Sequence, residues 1–184
     1  MATYKEIRGT QIEAVATDPS NPVEGQVWYN TTSNVLKGQA ATTAGAWATG
    51  NNMNDSRTSI GGAGVQTSAL GFGGYGDSQG VTESYNGTNW TEVNDLNNAR
   101  VYAAGAGVSN TSALAIGGYA TTPRAYTESW NGTNWTEVND LNTARGFFAG
   151  TNSSPYTASL VFGGASPPAQ AVTEEWNGSS WTEV

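Results

Sequence analysis

The chain has 184 residues and a formal charge of -8, with 7 Lys and Arg against 15 Asp and Glu and only 12% charged residues in all. That balance argues against a phosphate-neutralising surface and therefore against nucleic acid as a partner. Cysteine and histidine are absent, which removes disulfide scaffolds, thiolate or imidazole metal sites and Cys/His or Ser/His catalytic pairs, and no cofactor is expected.

Met1 to Val15 holds no apolar run long enough for a signal peptide, and no later segment could span a bilayer, so no membrane partner is expected. A route out of a cell would then be lysis or assembly into a particle. Residues 1–56 are read as an N-terminal arm with a partial or degenerate repeat. Pro22 to Thr32 reads as a loop entering a strand, Asn34 to Gly38 as a second strand, and Gly45 to Gly50 as a strand around Trp47. Trp47 stands one repeat length before Trp90, and Arg8 about one before Arg57. A degenerate repeat and a partial repeat with a docking arm both fit.

The repeats proper occupy residues 57–99, 100–144 and 145–184. Thr82 to Arg100, TESYNGTNWTEVNDLNNAR, recurs at Thr127 to Arg145 as TESWNGTNWTEVNDLNTAR, and the chain closes on TEEWNGSSWTEV. A period in the forties marks a stacked or radial array. Each unit reads as four short strands: a Gly/Ala-rich run after Arg57, Arg100 or Arg145, a run closed by a diglycine, and an alternating hairpin. The small residues suit a narrow shared centre. Asn86-Gly87, Asn131-Gly132 and Asn177-Gly178 predict two-residue type I′ turns, because Asn-Gly tolerates the positive φ those turns demand.

Three elements recur in order: the diglycines Gly73-Gly74, Gly117-Gly118 and Gly163-Gly164, the aromatics Tyr85, Trp130 and Trp176, and then Trp90, Trp135 and Trp181. This pattern resembles the kelch repeat over residues 57 to 184. The resemblance implies an all-β fold, a β-propeller of four-stranded blades with three clear blades per chain. Glu, Asn and Gly stand near positions where many kelch repeats are more apolar, as in a divergent microbial or viral branch. Upstream, GQVWYNTTSNVLKG with the preceding DPSNP resembles the start of tail-fibre and other virion proteins of tailed phages, marine ones in particular. The resemblance implies a virion location and other virion proteins as partners.

Propellers close with typically four to eight blades, and an open arc leaves a strand edge free. Either the N-terminal third supplies a fourth blade, or chains join as a homo-oligomer, with a dimer favoured. A truncated chain would show the same arithmetic.

Most repeated side chains read as scaffold. The Trp series Trp47, Trp90, Trp135 and Trp181 is expected to pack blade on blade rather than to stack on sugars. Arg57, Arg100 and Arg145 are expected to pair with a neighbouring blade's Asp or Glu rather than to line a channel. The pairs Glu83/Glu92, Glu128/Glu137 and Glu174/Glu183 would face each other across each hairpin. Two carboxylates can serve glycoside hydrolysis, but catalysis needs one site and here every unit has the pair, so a structural or solvated role is expected and the protein is read as no enzyme. Gly71 to Gly76 matches G-x-G-x-x-G without a following helix and fails as a dinucleotide site. Asn-x-Ser/Thr sequons such as Asn30, Asn86 and Asn131 are read as turn chemistry.

The loops after each diglycine diverge where the scaffold does not, as a binding module's would, although drift of exposed loops gives the same picture. Tyr75, Asp77, Tyr119, Arg124 and Tyr126 are the candidate ligand-binding residues, with a surface glycan as ligand. The function expected is recognition of a host surface or decoration of the particle. A bacterial lectin-like or carbohydrate-active accessory domain and a purely self-assembling repeat are the alternatives.

Overall fold

A computed structural model describes residues 12–20, 26–38, 50–152, 154–165 and 168–184. Trp47, Arg8 and most of the expected strand around Trp47 lie outside the described residues. The chain divides into two compact units, Met1–Thr49 and Gly50–Val184.

In the first unit β1 (Glu13–Val15), β2 (Val27–Asn30) and β3 (Val35–Gly38) form one sheet in that order. The two expected strands are present as β2 and β3, but β1 runs parallel to β2, so residues 12–38 do not repeat the antiparallel meander found further on. Asp18 ties this sheet together. Its carboxylate accepts hydrogen bonds from Lys37 Nζ at 2.6 Å, Trp28 Nε1 at 2.9 Å and Asn30 Nδ2 at 2.7 Å. The bond from Lys37, followed by those from Trp28 and Asn30, lowers the Asp18 pKa to about 2.

The second unit contains three four-stranded antiparallel sheets and no helix among the described residues. The first comprises β4 (Gly61–Val65), β5 (Ser68–Phe72), β6 (Thr82–Tyr85) and β7 (Trp90–Val93). The second comprises β8 (Ala104–Ser109), β9 (Ser112–Tyr119), β10 (Pro123–Trp130) and β11 (Trp135–Val138). The third comprises β12 (Ala149–Gly150), β13 (Ser159–Phe162), β14 (Thr173–Trp176) and β15 (Trp181–Glu183). In each, spatial order follows chain order. The first strands approach closely: a Cβ on Gly105 would lie 2.0 Å from the Gly62 carbonyl oxygen, so β8 can pack on β4 only without a side chain there.

The hairpin turns correct the expectation. Tyr85 pairs with Trp90, leaving four residues, 86–89, in the turn. Asn86 Oδ1 accepts from the backbone N–H of Thr88 and of Asn89, both at 2.9 Å. A type I′ turn needs positive φ at both central residues, whereas here Gly87 alone adopts it, at 92°, because the Asn side chain caps the turn as an Asx motif. Asn131 and Asn177 cap their turns in the same way.

Two apolar clusters fill the junctions between sheets. Phe72 and Leu70 of the first sheet pack with Ala113, Ala115, Trp130 and Trp135 of the second. Leu114 and Ile116 of the second pack with Val161, Trp176 and Trp181 of the third. Trp135 donates Nε1–H to Thr82 Oγ1, and Trp181 to Thr127 Oγ1, each at 3.1 Å and buried. The rings thus fill sheet-to-sheet junctions, where a buried indole supplies area and its N–H finds a partner.

The segment between consecutive sheets latches both. Asp95 Oδ1 accepts from Thr82 N, and Leu96 N donates to Gly80 O, which holds the sheet being left. Asn97 donates backbone and side-chain N–H to Glu128 Oε2, at 2.8 and 3.0 Å, which holds the sheet being joined. Asn142 does the same to Glu174, and Asn54 to Glu83. The diglycine completes the junction. Gly74 N donates to Arg100 O and Gly118 N to Arg145 O. Gly73, at φ +65°, leaves no room for a Cβ, which would sit 2.4 Å from Arg100 O.

Candidate binding surface

The repeated charges are sealed inside. Arg57 pairs with Glu83 at 2.9 Å, Arg145 with Glu174 at 2.8 Å, and Arg100 with Glu128, with no side-chain exposure on any of the six. Each partner lies on the third strand of the Arg's own unit, not on a neighbouring one as expected. The side chain runs back across its own sheet, where Arg57 Nη1 also donates to Gly73 O and Val81 O and thereby meets Glu83 first.

Burial raises the Glu83 pKa, but hydrogen bonds from Asn54 N, Asp55 N, Asn54 Nδ2 and Arg57 outweigh it and leave the carboxyl below its ordinary range. Burial pulls the Arg145 guanidinium down, against the attraction of Glu174 and Glu183. The cross-strand registers Glu83/Glu92, Glu128/Glu137 and Glu174/Glu183 are as expected. In each pair one carboxylate is locked against Arg and the other is exposed, so the two do not present a matched pair to a substrate.

A different set of residues makes a surface. The residue two positions after each repeated Arg takes a left-handed backbone: Ser59 at φ 58°, Tyr102 at 53° and Phe147 at 57°. For a bulky residue this costs about 1–2 kcal/mol, and such strain persists only where the surroundings impose it. Here they do. The residue just before it bridges to the residue after the diglycine, in Thr58/Tyr75, Val101/Tyr119 and Gly146/Ala165, and Tyr102 N donates to Ser59 O at 3.0 Å.

The result is a row of rings that crosses from sheet to sheet. Tyr75 meets Tyr102 edge-on at 5.8 Å and 79°, and Tyr102 lies 3.9 Å from Phe147 at 34°. Tyr119 stands 5.9 Å from Phe147 at 50°. Tyr75 is 44% exposed and Phe147 53%, while Tyr102 and Tyr119 are half-buried and anchor them. An aromatic cluster with two exposed members, Tyr75 and Phe147, suits a ligand with an apolar face of its own.

Of the five residues expected to bind, the structure therefore brings Tyr75 and Tyr119 into one row. Arg124 instead lies over the Tyr126 ring at 5.6 Å and donates to Thr121 Oγ1 at 3.4 Å. Asp77 is exposed on the loop after Gly74, and among the described residues no ring contact or ion pair joins it to the row. Tyr102 and Phe147 were missed. They vary as Ser, Tyr and Phe at one fixed distance from the repeated Arg, and that variation is the signal that could have found them.

Among the described residues no three His, Cys, Asp or Glu side chains are grouped to hold a metal ion, and no helix is long and apolar enough to cross a membrane. No family model matches the sequence, and no curated protein does. Among solved structures, that of YjhT is similar with a TM-score of 0.61 at 9% identity, over 73% of this chain and 53% of that one. The chain thus spans about half the length of this neighbour, and at that identity the likeness is one of fold.

Proposed function

We propose that the chain forms an arc of three kelch-type β-propeller blades in a phage virion protein, and that it binds a host-surface glycan without turning it over. The row Tyr75–Tyr102–Phe147–Tyr119 carries this reading, because two of its rings stand on a backbone conformation that is unfavourable for them and that the fold alone would fill more easily with Ser, as at Ser59. Sealing of Glu83, Glu128 and Glu174 against Arg supports a non-hydrolytic role. The virion assignment rests on GQVWYNTT and the kelch pattern in the sequence.

A glycan array probed with the whole chain tests the proposal. Binding to a defined class of surface polysaccharide, with no reducing ends released on prolonged incubation, is expected. Release of sugar would replace the reading with a hydrolase, and no binding to any glycan would favour particle assembly alone.

A further inference from the structure

The two internal junctions show what each sheet's faces are built to meet. On its trailing face a sheet presents an apolar residue just before the diglycine and, on its third strand, the Thr just before the buried Glu. Phe72 and Thr82 do so for the first sheet, and Ile116 and Thr127 for the second, all four fully buried. On its leading face the next sheet presents an aromatic pair across the hairpin, Trp130 with Trp135 at 5.2 Å and Trp176 with Trp181 at 5.3 Å, all four buried. The second ring of each pair bonds the Thr, and Trp135 also meets Phe72 edge-on at 5.2 Å.

The outermost sheets carry the same groups without that cover. On the third sheet Phe162 occupies the place of Phe72 and Ile116 but is 43% exposed, and Thr173 occupies that of Thr82 and Thr127 but is only half-buried. On the first sheet the pair is Tyr85 with Trp90, 5.0 Å apart, and both rings are half-buried. One end of the arc therefore displays the socket and the other the matching plug.

We propose that a second copy of this chain occupies both ends. Trp90 of each copy seats on Phe162 and Thr173 of the other, as Trp135 seats on Phe72 and Thr82 within the chain. The two head-to-tail contacts close a two-fold ring. Its six four-stranded sheets fall within the range in which propellers close. This is independent of what the aromatic row binds.

Light scattering on the whole chain is expected to give about twice 19.1 kDa, and Trp90→Arg and Phe162→Asp, each alone, are expected to give single-chain mass with unchanged far-ultraviolet circular dichroism. Each variant keeps the face the other has lost, so an equimolar mixture regains one native contact and one Arg–Asp contact, and dimer mass returns. Single-chain mass for the unsubstituted protein overturns the proposal, as do a mass of three or more copies and dimers that survive both substitutions. Should Trp90→Arg fail to fold, Phe162→Asp alone still decides, because Phe162 lies at the open end of the arc.

Discussion

Replacing Glu128 with Leu isolates the role of the buried carboxylates. Glu128 accepts from Asn97 N at 2.8 Å, Asn97 Nδ2 at 3.0 Å, Asn98 N at 3.2 Å and Arg100 Nη1, all in a site without side-chain exposure. Leu removes the acceptor but leaves the Arg100 charge buried. Breaking one member of a buried pair costs about 3–5 kcal/mol, and the orphaned backbone donors add about 1–3 kcal/mol each where water cannot reach them. Against a total of roughly 5–15 kcal/mol for a domain, the variant should be marginally folded at room temperature. At about 2–4 °C per kcal/mol for a protein of this size, the thermal midpoint should fall by at least about 6 °C. Glu137 sits directly opposite on β11 and is exposed, so Glu137→Leu should change stability by no more than about 0.5 kcal/mol. Urea and thermal unfolding of both variants, followed by circular dichroism, gives the comparison. Equal, small effects would refute the view that the repeated Glu is a structural lock.

Other consequences are quicker to check. Thr82→Val keeps the shape of its site but strands Trp135 Nε1, and urea unfolding should show a loss of about 1–3 kcal/mol. Phe147→Gly relieves a left-handed backbone, a gain of about 1–2 kcal/mol. It loses about 0.4–1 kcal/mol to glycine's freedom when unfolded and about 0.5–1.5 kcal/mol of ring contact, so its midpoint should stay near that of the parent while glycan binding falls. The Asp18 pKa of about 2 lies below its unfolded value, so its contribution to the N-terminal sheet is complete above roughly pH 4 and fades as pH falls towards 2. Acid titration followed by Trp fluorescence should show this loss, and Asp18→Asn should flatten the curve over that interval. Glu83, also lowered, adds a loss of the same sign for the first four-stranded sheet.

The sheets were legible because each unit writes its strands with the same punctuation, Arg before the first, diglycine after the second and Asn-Gly in the hairpin. The phase of the repeat was harder to read. Asn51 to Arg57, NNMNDSR, is a worn copy of Asn94 to Arg100, NDLNNAR, and a boundary drawn at Arg57 cuts off Asn54, whose bonds to Glu83 belong to the first sheet. The type I′ expectation failed because a side-chain cap can replace a second left-handed residue, a choice that the dipeptide Asn-Gly does not record. The Thr partner of each Trp lies about 54 residues away in the preceding unit, out of reach of any local pattern. Tyr102 and Phe147 were hidden for the opposite reason: intrinsic preference speaks against aromatic residues in left-handed backbone, so the positions that carry the surface are those where local rules point elsewhere.

The proposed binding rests on the aromatic row, and a paired binding measurement reaches it most directly. Tyr102→Ser/Phe147→Ser places at both positions the residue that the first unit already carries as Ser59 in the same conformation. Titrated by calorimetry with the polysaccharide identified on the array, the parent should bind and the double variant should lose at least about tenfold in affinity, the ~1.4 kcal/mol expected of one or two lost stacking contacts, while its unfolding midpoint stays within a few degrees. Equal affinity in the two proteins would contradict the account.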